Sequence, residues 1–372
     1  MSRTVDKLQK QLQEEVFHYA QDSKKAAGRA LGTIIEIITY YKICAWGLSK
    51  NTLIEKPIPE FGRSDIRHNV EFSLHKVLKQ TIIELPRDGR TITAKVLGVA
   101  AKIPVTRLTE QLLSSKSLLR NSAVISEHDE HVAVANLLKM HENRLEVLIA
   151  ELDLFPAAIF ECKRVGVEEG MKKGPQSIEK AKQGAYVARS VSALQKVIDR
   201  DGQVLGFLPT PNGKPLIDNY DKMLAEIVSG KLKSPDGFVL TVGVVSNHGN
   251  WFTSENMNKE LKVLAAAYDW LLFLTDEGLM DFVEHCILKP DRECESIQRA
   301  FMESYTGEKG GNRFTKTRLD LDADQALRRY FVANNRRSDG WFNVIAPGGE
   351  NLQTLTKQLT ALLSQREGEI TK

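Results

Sequence analysis

Only four of the 372 residues are cysteine, at positions 44, 162, 286 and 294, and no two of them form a CxxC pair. That excludes a zinc ribbon and a disulfide-stapled scaffold and leaves the thiols as core or bystander groups. Neither sign of charge dominates. The 51 basic and 48 acidic residues give a net charge of +3, too mild to demand a polyanionic partner yet compatible with a locally basic surface. Long apolar runs are missing as well: the best, "LGTIIEIITYYKICAWGLS" from Leu31, is interrupted by Glu36 and Lys42, so it reads as a buried helix and no membrane partner is expected. The opening "MSRTVDKLQKQLQEEV" lacks a basic region followed by an apolar one, so no secretory signal is visible and a cytoplasmic location is expected. No low-complexity tract or internal repeat stands out.

What is present is ordinary globular material, 42% hydrophobic and 27% charged, long enough for one elaborated domain or two packed units. Leu8, Leu12, Val16 and Tyr19 fall at helical spacing. The segment "TIIELPRDGRTITAKVLGV" reads as a hairpin turning at Asp88-Gly89, and "AAKIPVTRLTEQLLSSKSLL" as a helix after Pro104, with a faint helix-turn-helix pattern. Ser126 is a plausible N-cap for a helix running to about Met140. His128, His131 and His141 lie in or beside that segment without completing a zinc ligand set. Further on, "IEKAKQGAYVARSVSALQKVI" reads as a helix with Ala181, Ala185 and Ala188 on one face and Lys182, Tyr186 and Arg189 on another. Strands are expected at Phe238–Val245 and Trp270–Leu274, with a capped helix between them. The order implies an α/β fold, a mixed central sheet flanked by helices.

The stretch "ENRLEVLIAELDLFPAAIFECKRVG", residues 142–166, carries the chemistry. It reads as two apolar strands around a Phe155-Pro156 break, each bearing charged residues. In a strand Glu161 and Lys163 share one face, as do Glu151 and Asp153. An odd connection such as Phe155-Pro156-Ala157 would set Glu151, Asp153 and Glu161 on one patch, whereas a two-residue turn would separate them. Three carboxylates on one patch repel unless a cation sits among them, and oxygen-only ligands favour Mg²⁺ completed by a phosphate. Lys163 would then act on the attacking water or on developing negative charge.

On Asp153 and "Glu161-Cys162-Lys163" the chain resembles the PD-(D/E)XK nuclease superfamily, whose signature is an Asp on one strand and Glu-x-Lys on the next. The resemblance covers roughly residues 127 to 275 and looks most like a type II restriction endonuclease. It implies a restriction-endonuclease-like core at 126–290, a mainly helical N-terminal region at 1–125 with the hairpin near 81–97, and a polar, basic C-terminal extension at 291–372. It also implies Mg²⁺-dependent hydrolysis of double-stranded DNA to 5′-phosphate and 3′-hydroxyl ends, with Asp153 and Glu161 as metal ligands and Lys163 positioning water. Glu146 and Glu151 are possible substitutes for Asp153, and Glu127 and Glu130 are further acids of the kind a preceding helix supplies in that family. Symmetric duplex cleavage implies a homodimer.

DNA binding needs cations on phosphates and groups that read bases. Candidates for the first are Lys172, Lys173, Lys180, Lys182 and Arg189. For the second, the C-terminal segment offers Arg313, Lys316, Arg318, Arg336 and Arg337 beside Asn312, Asn334 and Asn335, since Arg suits guanine and Asn suits adenine. "SNHGNWFT" after the Phe238 strand is a second contact loop. A structure-specific or repair nuclease of the same superfamily, or a non-catalytic DNA-binding protein, would also fit these features.

Overall fold

The computed structural model describes residues 4–128, 130–166, 175–210, 212–233, 236–248, 257–305 and 312–365. The chain opens with α1 (Val5–Glu15) and α2 (Ser23–Ala45). Strands β1 (Thr52–Ile54), β2 (Pro57–Glu60), β3 (Arg63–Asn69), β4 (Phe72–Pro86) and β5 (Ile92–Thr93) lead to α3 (Ala94–Ala101). Next come β6 (Gln111–Leu113), β7 (Leu118–Leu119), β8 (Ala123–Glu127), β9 (His131–Met140) and β10 (Arg144–Val165). After α4 (Pro175–Ser190), a small sheet of β11 (Gln195–Ile198), β12 (Val204–Leu208) and β13 (Leu216–Asn219) precedes α5 (Tyr220–Val228). Then follow β14 (Leu240–Asn247), α6 (Lys259–Ala265), β15 (Trp270–Leu274), α7 (Asp276–Val283), α8 (Glu295–Glu303), β16 (Leu319–Asp320), α9 (Leu321–Ala333), α10 (Asn335–Asp339), β17 (Phe342–Ala346) and α11 (Leu352–Ser364).

The architecture is mixed α/β, with an eight-stranded mixed sheet flanked by helices. Its path runs β1-β4-β10-β14-β15-β17, and β8-β9 branches from β10. The expected hairpin at 144–165 is instead the single 22-residue strand β10. One edge of β10 pairs antiparallel with β4 from Arg144 to Phe160. The other edge changes partner: β9 lies antiparallel along Leu145–Asp153, and β14 lies parallel along Ala158–Val165. Phe155 and Pro156 fall in the gap between those partners, where the register to β4 also shifts. A proline cannot donate to a ladder and is tolerated at such a bulge, so here it marks a change of neighbour, not a turn.

Three other expectations are corrected. The segment near 81–97 is not a hairpin: β4 stays on β10 as far as Pro86, and β5 pairs with β6. The helix after Pro104 is absent, because α3 precedes that proline and the chain beyond it forms turns and short strands, so no helix-turn-helix exists there. Residues 126–140 form the β8–β9 hairpin and not a helix. Both faces of β9 are buried between two apolar clusters, so its alternation is hidden in the sequence.

Where local pattern was strong, the expected element forms. Leu8, Leu12 and Val16 are buried, though α1 ends before Tyr19, which is exposed. α2 is buried on nearly all sides, with Asp22 capping its N-terminus by accepting from the Lys25 amide at 2.9 Å. It packs with Phe72, Phe160, Val242 and Leu272 on one face of the sheet. On the other face Ala181, Ala185 and Ala188 of α4 meet Leu264, Tyr268 and Leu271. β14 and β15 lie at the expected places and are buried throughout. No described helix is long and apolar enough to cross a membrane.

Candidate active site

Alternation along the C-terminal half of β10 sends Ala158 and Phe160 toward α2, and Ile159 toward Val191 and Val239 below α4. Glu161 and Lys163 share the Ile159 face. Antiparallel pairing of Phe160 with Phe72 brings Glu71, one residue before β4, beside Glu161. The backbone of Glu71 is held in line by the Glu55 amide, which donates to its carbonyl at 3.1 Å. One Glu71 carboxylate oxygen accepts from the Cys162 amide at 3.2 Å. Lys163 Nζ lies 3.1 Å from Glu161 Oε2.

This group is electrostatically unusual. Glu161 is 2% exposed. Burial first, and then the Glu71 carboxylate with which it hydrogen-bonds, pushes the Glu161 carboxyl up to about 8, against the pull of Lys163. Burial acts to lower the Lys163 ammonium, but Glu161 and Glu71 outweigh it and hold it above the ordinary lysine range. Behind them stands Tyr268, 1% exposed, whose hydroxyl has no hydrogen-bond partner among the described residues. Burial, and then Glu161, drives its phenol well above the ordinary value. Gly184 of α4 permits this crowding: a Cβ there would stand 3.4 Å from Tyr268 Oη and 3.7 Å from Lys163 Cε.

A second charged group lies at the rim. Lys316, expected to face DNA, is buried and reaches Glu36 of α2 at 3.3 Å and Glu55 at 3.4 Å. Burial raises the Glu36 carboxyl, partly offset by Lys316, and Glu71 is close enough to add to the rise. Glu36 stands out only as an acid interrupting the apolar run from Leu31, and Glu55 and Glu71 do not stand out locally. The only signal for Glu71 is the acid opening the alternating run "EFSLHKV", and its partner is ninety residues away.

Asp153 is not part of this site. It lies eight residues from Glu161 on the same strand, roughly 25 Å away at the usual rise. Its Oδ1 accepts from the Phe155 amide at 3.0 Å, and its carbonyl bonds His75 Nδ1 at 2.8 Å. The reserve acids are occupied too. Glu151 sits 3.5 Å from Lys79, Glu146 is 2.7 Å from His141, and Glu127 is clamped by Lys56 and Arg107. Burial opposes ionisation of Glu127, but those two hydrogen bonds prevail and lower its pKa. Glu130 is exposed in the β8–β9 turn.

The expected DNA contacts divide in the same way. Arg313 is paired with Glu303 and Asp320, Arg337 forks onto Asp281, and Asn335 receives Lys42 Nζ at 2.8 Å. Arg318, Arg336, Lys182 and Arg189 are exposed, with no side-chain partner among the described residues. Lys172, Lys173 and most of the "SNHGNWFT" loop lie outside the described residues. The His128 ring bonds the Ser126 hydroxyl, and no group of three or more His, Cys, Asp or Glu side chains among the described residues is disposed to hold a metal. No protein-family model matches the chain, and no curated protein or solved structure matches it.

Proposed function

We propose that the protein is a Mg²⁺-dependent endonuclease of PD-(D/E)XK type acting on double-stranded DNA, with Glu71 taking the place of the Asp in that signature. The observation that carries this reading is the pair of carboxylates at Glu71 and Glu161, side by side, with Glu161 buried, Glu71 half-buried and the Lys163 ammonium 3.1 Å from Glu161. Burying an acid beside a second carboxylate is costly, so folds seldom keep such a pair without a task for it. An acid on one strand opposite Glu-x-Lys on the next is the arrangement the resemblance requires, and the mixed sheet flanked by helices is compatible with a restriction-endonuclease-like core.

The donor set fits Mg²⁺. Two carboxylates suffice for an ion that keeps several waters and takes phosphate oxygens as further ligands, and a dication would relieve the repulsion that now raises Glu161. Glu71 and Glu161 would hold it, and when bound it would supply charge neutralisation for the phosphodiester and acidify nearby water. Glu161 must give up its proton to act. Lys163 orients the attacking water and stabilises charge building on the phosphate oxygens. Water oxygen bonds to phosphorus as the bond to the 3′ oxygen breaks, leaving a 5′-phosphate and a 3′-hydroxyl. The buried Tyr268 hydroxyl offers a polar group to that water.

For substrate, the reading favours duplex DNA held by Lys182 and Arg189 of α4, with Arg318 and Arg336 free to reach phosphates or bases. Sequence-specific cleavage of the type II restriction kind is the finer proposal. Plasmid digestion with Mg²⁺ tests both levels: discrete fragments that vanish in chelator support a restriction enzyme, and smears or branch-directed cuts support a structure-specific or repair nuclease. Intact DNA of shifted mobility means a non-catalytic binder. Calorimetric Mg²⁺ binding lost in both Glu71→Gln and Glu161→Gln checks the metal ligands independently of cleavage.

A further inference from the structure

Strands β2 and β3 form a two-stranded ribbon rooted at the candidate site. At its base the Glu55 amide donates to the Glu71 carbonyl at 3.1 Å, and the Val70 amide to the Lys56 carbonyl at 3.4 Å. The ribbon therefore leaves the body between an acid of the site and an acid of its rim. At its tip the Phe61 amide donates to the Ser190 carbonyl of α4 at 2.8 Å. The Phe61 ring there lies against Gly237, where a Cβ would stand 2.5 Å from it. Between the two ends one face is dry, with Ile58 buried among Val70, Ile159, Val191 and Val239. His68 on that face lies edge-on to Tyr186 of α4, whose hydroxyl donates to Glu60 at 2.9 Å. A two-stranded ribbon is marginally stable alone, so these contacts hold it in place.

The other face looks outward. Alternation along β3 puts Arg63, Asp65, Arg67 and Asn69 on it, and all four are exposed. Opposite them β2 presents Pro57 and Pro59, paired with Asn69 and Arg67. Prolines cannot donate to a further strand, and none joins among the described residues, so the ribbon stays two strands wide. The major groove of B-form DNA admits such a ribbon, whereas the deep, narrow major groove of A-form RNA does not. Arg63 and Asp65 are tied to each other at 3.0 and 2.9 Å, but Arg67 and Asn69 have no side-chain partner among the described residues. The surface beside the ribbon is basic too. Arg189 precedes the Ser190 contact and Lys182 lies one turn below Tyr186, both exposed. Glu60, the other acid of the ribbon, is engaged by Tyr186 and lies 3.6 Å from His68. We propose that this ribbon enters the major groove of duplex DNA and reads bases, Arg67 by a two-pronged contact to guanine and Asn69 by one to adenine. The inference rests on the nuclease reading only in taking duplex DNA as the ligand. Asn69 is two residues and Arg67 four residues from Glu71, at most about 14 Å of chain, so the bases they read lie close to the bond to be cut.

Binding is measured apart from cleavage. The full chain selects from a library of random-sequence duplexes in chelator, with mobility shift reading affinity and thermal melting confirming that each variant is folded. The wild type should enrich a defined sequence. Arg67→Ala should cut the preference for one guanine about tenfold to a hundredfold, and Asn69→Ala the preference for one adenine, with melting unchanged. Arg67→Lys should keep the overall affinity while the guanine preference stays lost, because an ammonium lacks the guanidinium fork. An RNA duplex of the enriched sequence should not compete. The same enriched sequence in both alanine variants, a loss of affinity spread evenly over all sequences, competition by the RNA duplex, or a wild type that selects no DNA would each overturn the proposal. The two readings fail separately. A wild type that selects DNA through Arg67 and Asn69 yet never cuts with Mg²⁺ removes the nuclease reading alone, and one that cuts at a defined sequence unchanged by either alanine variant removes the ribbon alone.

Discussion

The two halves of β10 carry the same kinds of residue and give them opposite fates. In the N-terminal half, Glu146, Glu151 and Asp153 each have a local partner: a histidine, a cross-strand lysine and a backbone amide respectively. In the C-terminal half, Glu161 has a second carboxylate beside it and almost no water. The difference comes from the neighbours, not from the strand. Flanked by β9 and the length of β4 that β1 leaves uncovered, the first half leaves its acids at the surface. Flanked by β14 and covered by α4, the second half buries Glu161. An acid's place in a strand pattern therefore says less about chemistry than whether its surroundings already satisfy it.

The sharpest way to break this comparison is to exchange single residues in each half and measure Mg²⁺-dependent plasmid cleavage. Glu161→Gln, Glu71→Gln and Lys163→Ala should each lower the rate about a hundredfold to a thousandfold or more, whereas Asp153→Asn should leave it near wild type. Thermal melting should show Glu161→Gln at least as stable as the parent without metal, since it removes a repelled buried acid. Loss of cleavage in Asp153→Asn with the glutamate variants unaffected would reverse the assignment.

Next in size is an opposition in pH dependence. Glu161, raised to about 8, is protonated in the fold at neutral pH, so the folded state holds a proton the unfolded chain has released. Stability from this group is full below about 4.5 and is lost as pH rises through 8, a change of several kcal/mol. His75, bonded to the Asp153 carbonyl in the other half, is lowered to about 4, chiefly by burial. Its contribution is present above about 6.5 and is lost as pH falls toward 4. Denaturant titrations of Glu161→Gln should flatten the alkaline limb alone, and of His75→Asn the acid limb alone. Saturating Mg²⁺ should flatten the alkaline limb of the wild type as well.

A smaller contrast separates the basic residues. Arg337→Ala removes the fork on Asp281, which also accepts from Trp341 Nε1 at 2.9 Å, and should cost about 1 kcal/mol in chemical denaturation. Arg336→Ala should cost no stability but reduce the salt dependence of DNA binding by about one unit of slope if it contacts phosphate. Equal behaviour of the two variants in both assays would erase the distinction. Smallest of all, Glu151→Gln loses an exposed pair with Lys79 and should shift stability by only about 0.2–1 kcal/mol with no change in rate.

Elements whose pattern is local could be read from the chain alone. The run Trp270–Leu274, the alanine face of α4 and the buried α2 needed only periodicity and composition. Glu161 and Lys163 stood out because two residues apart on a strand means one face. Their partner did not stand out, because Glu71 is brought there only by β4 pairing with β10. The Phe155-Pro156 step misled for the same cause: it looks like a turn, and only the exchange of β9 for β14 explains it. Lys316 looked like a surface cation since nothing near it in sequence shows that Glu36 and Glu55 will enclose it.

The bridge from Lys316 to Glu36 and Glu55 has a bearing on synthesis. The bridge is completed by a residue that leaves the ribosome roughly 155 positions after Glu161, which at about 5–20 residues per second is a delay of about eight to thirty seconds. Throughout that interval Glu36, Glu55 and Glu71 already exist as polypeptide, yet the cation that comes to sit near them does not. A partly made chain, or one truncated before residue 316, would therefore leave Glu36 and Glu55 without the cation that pairs them.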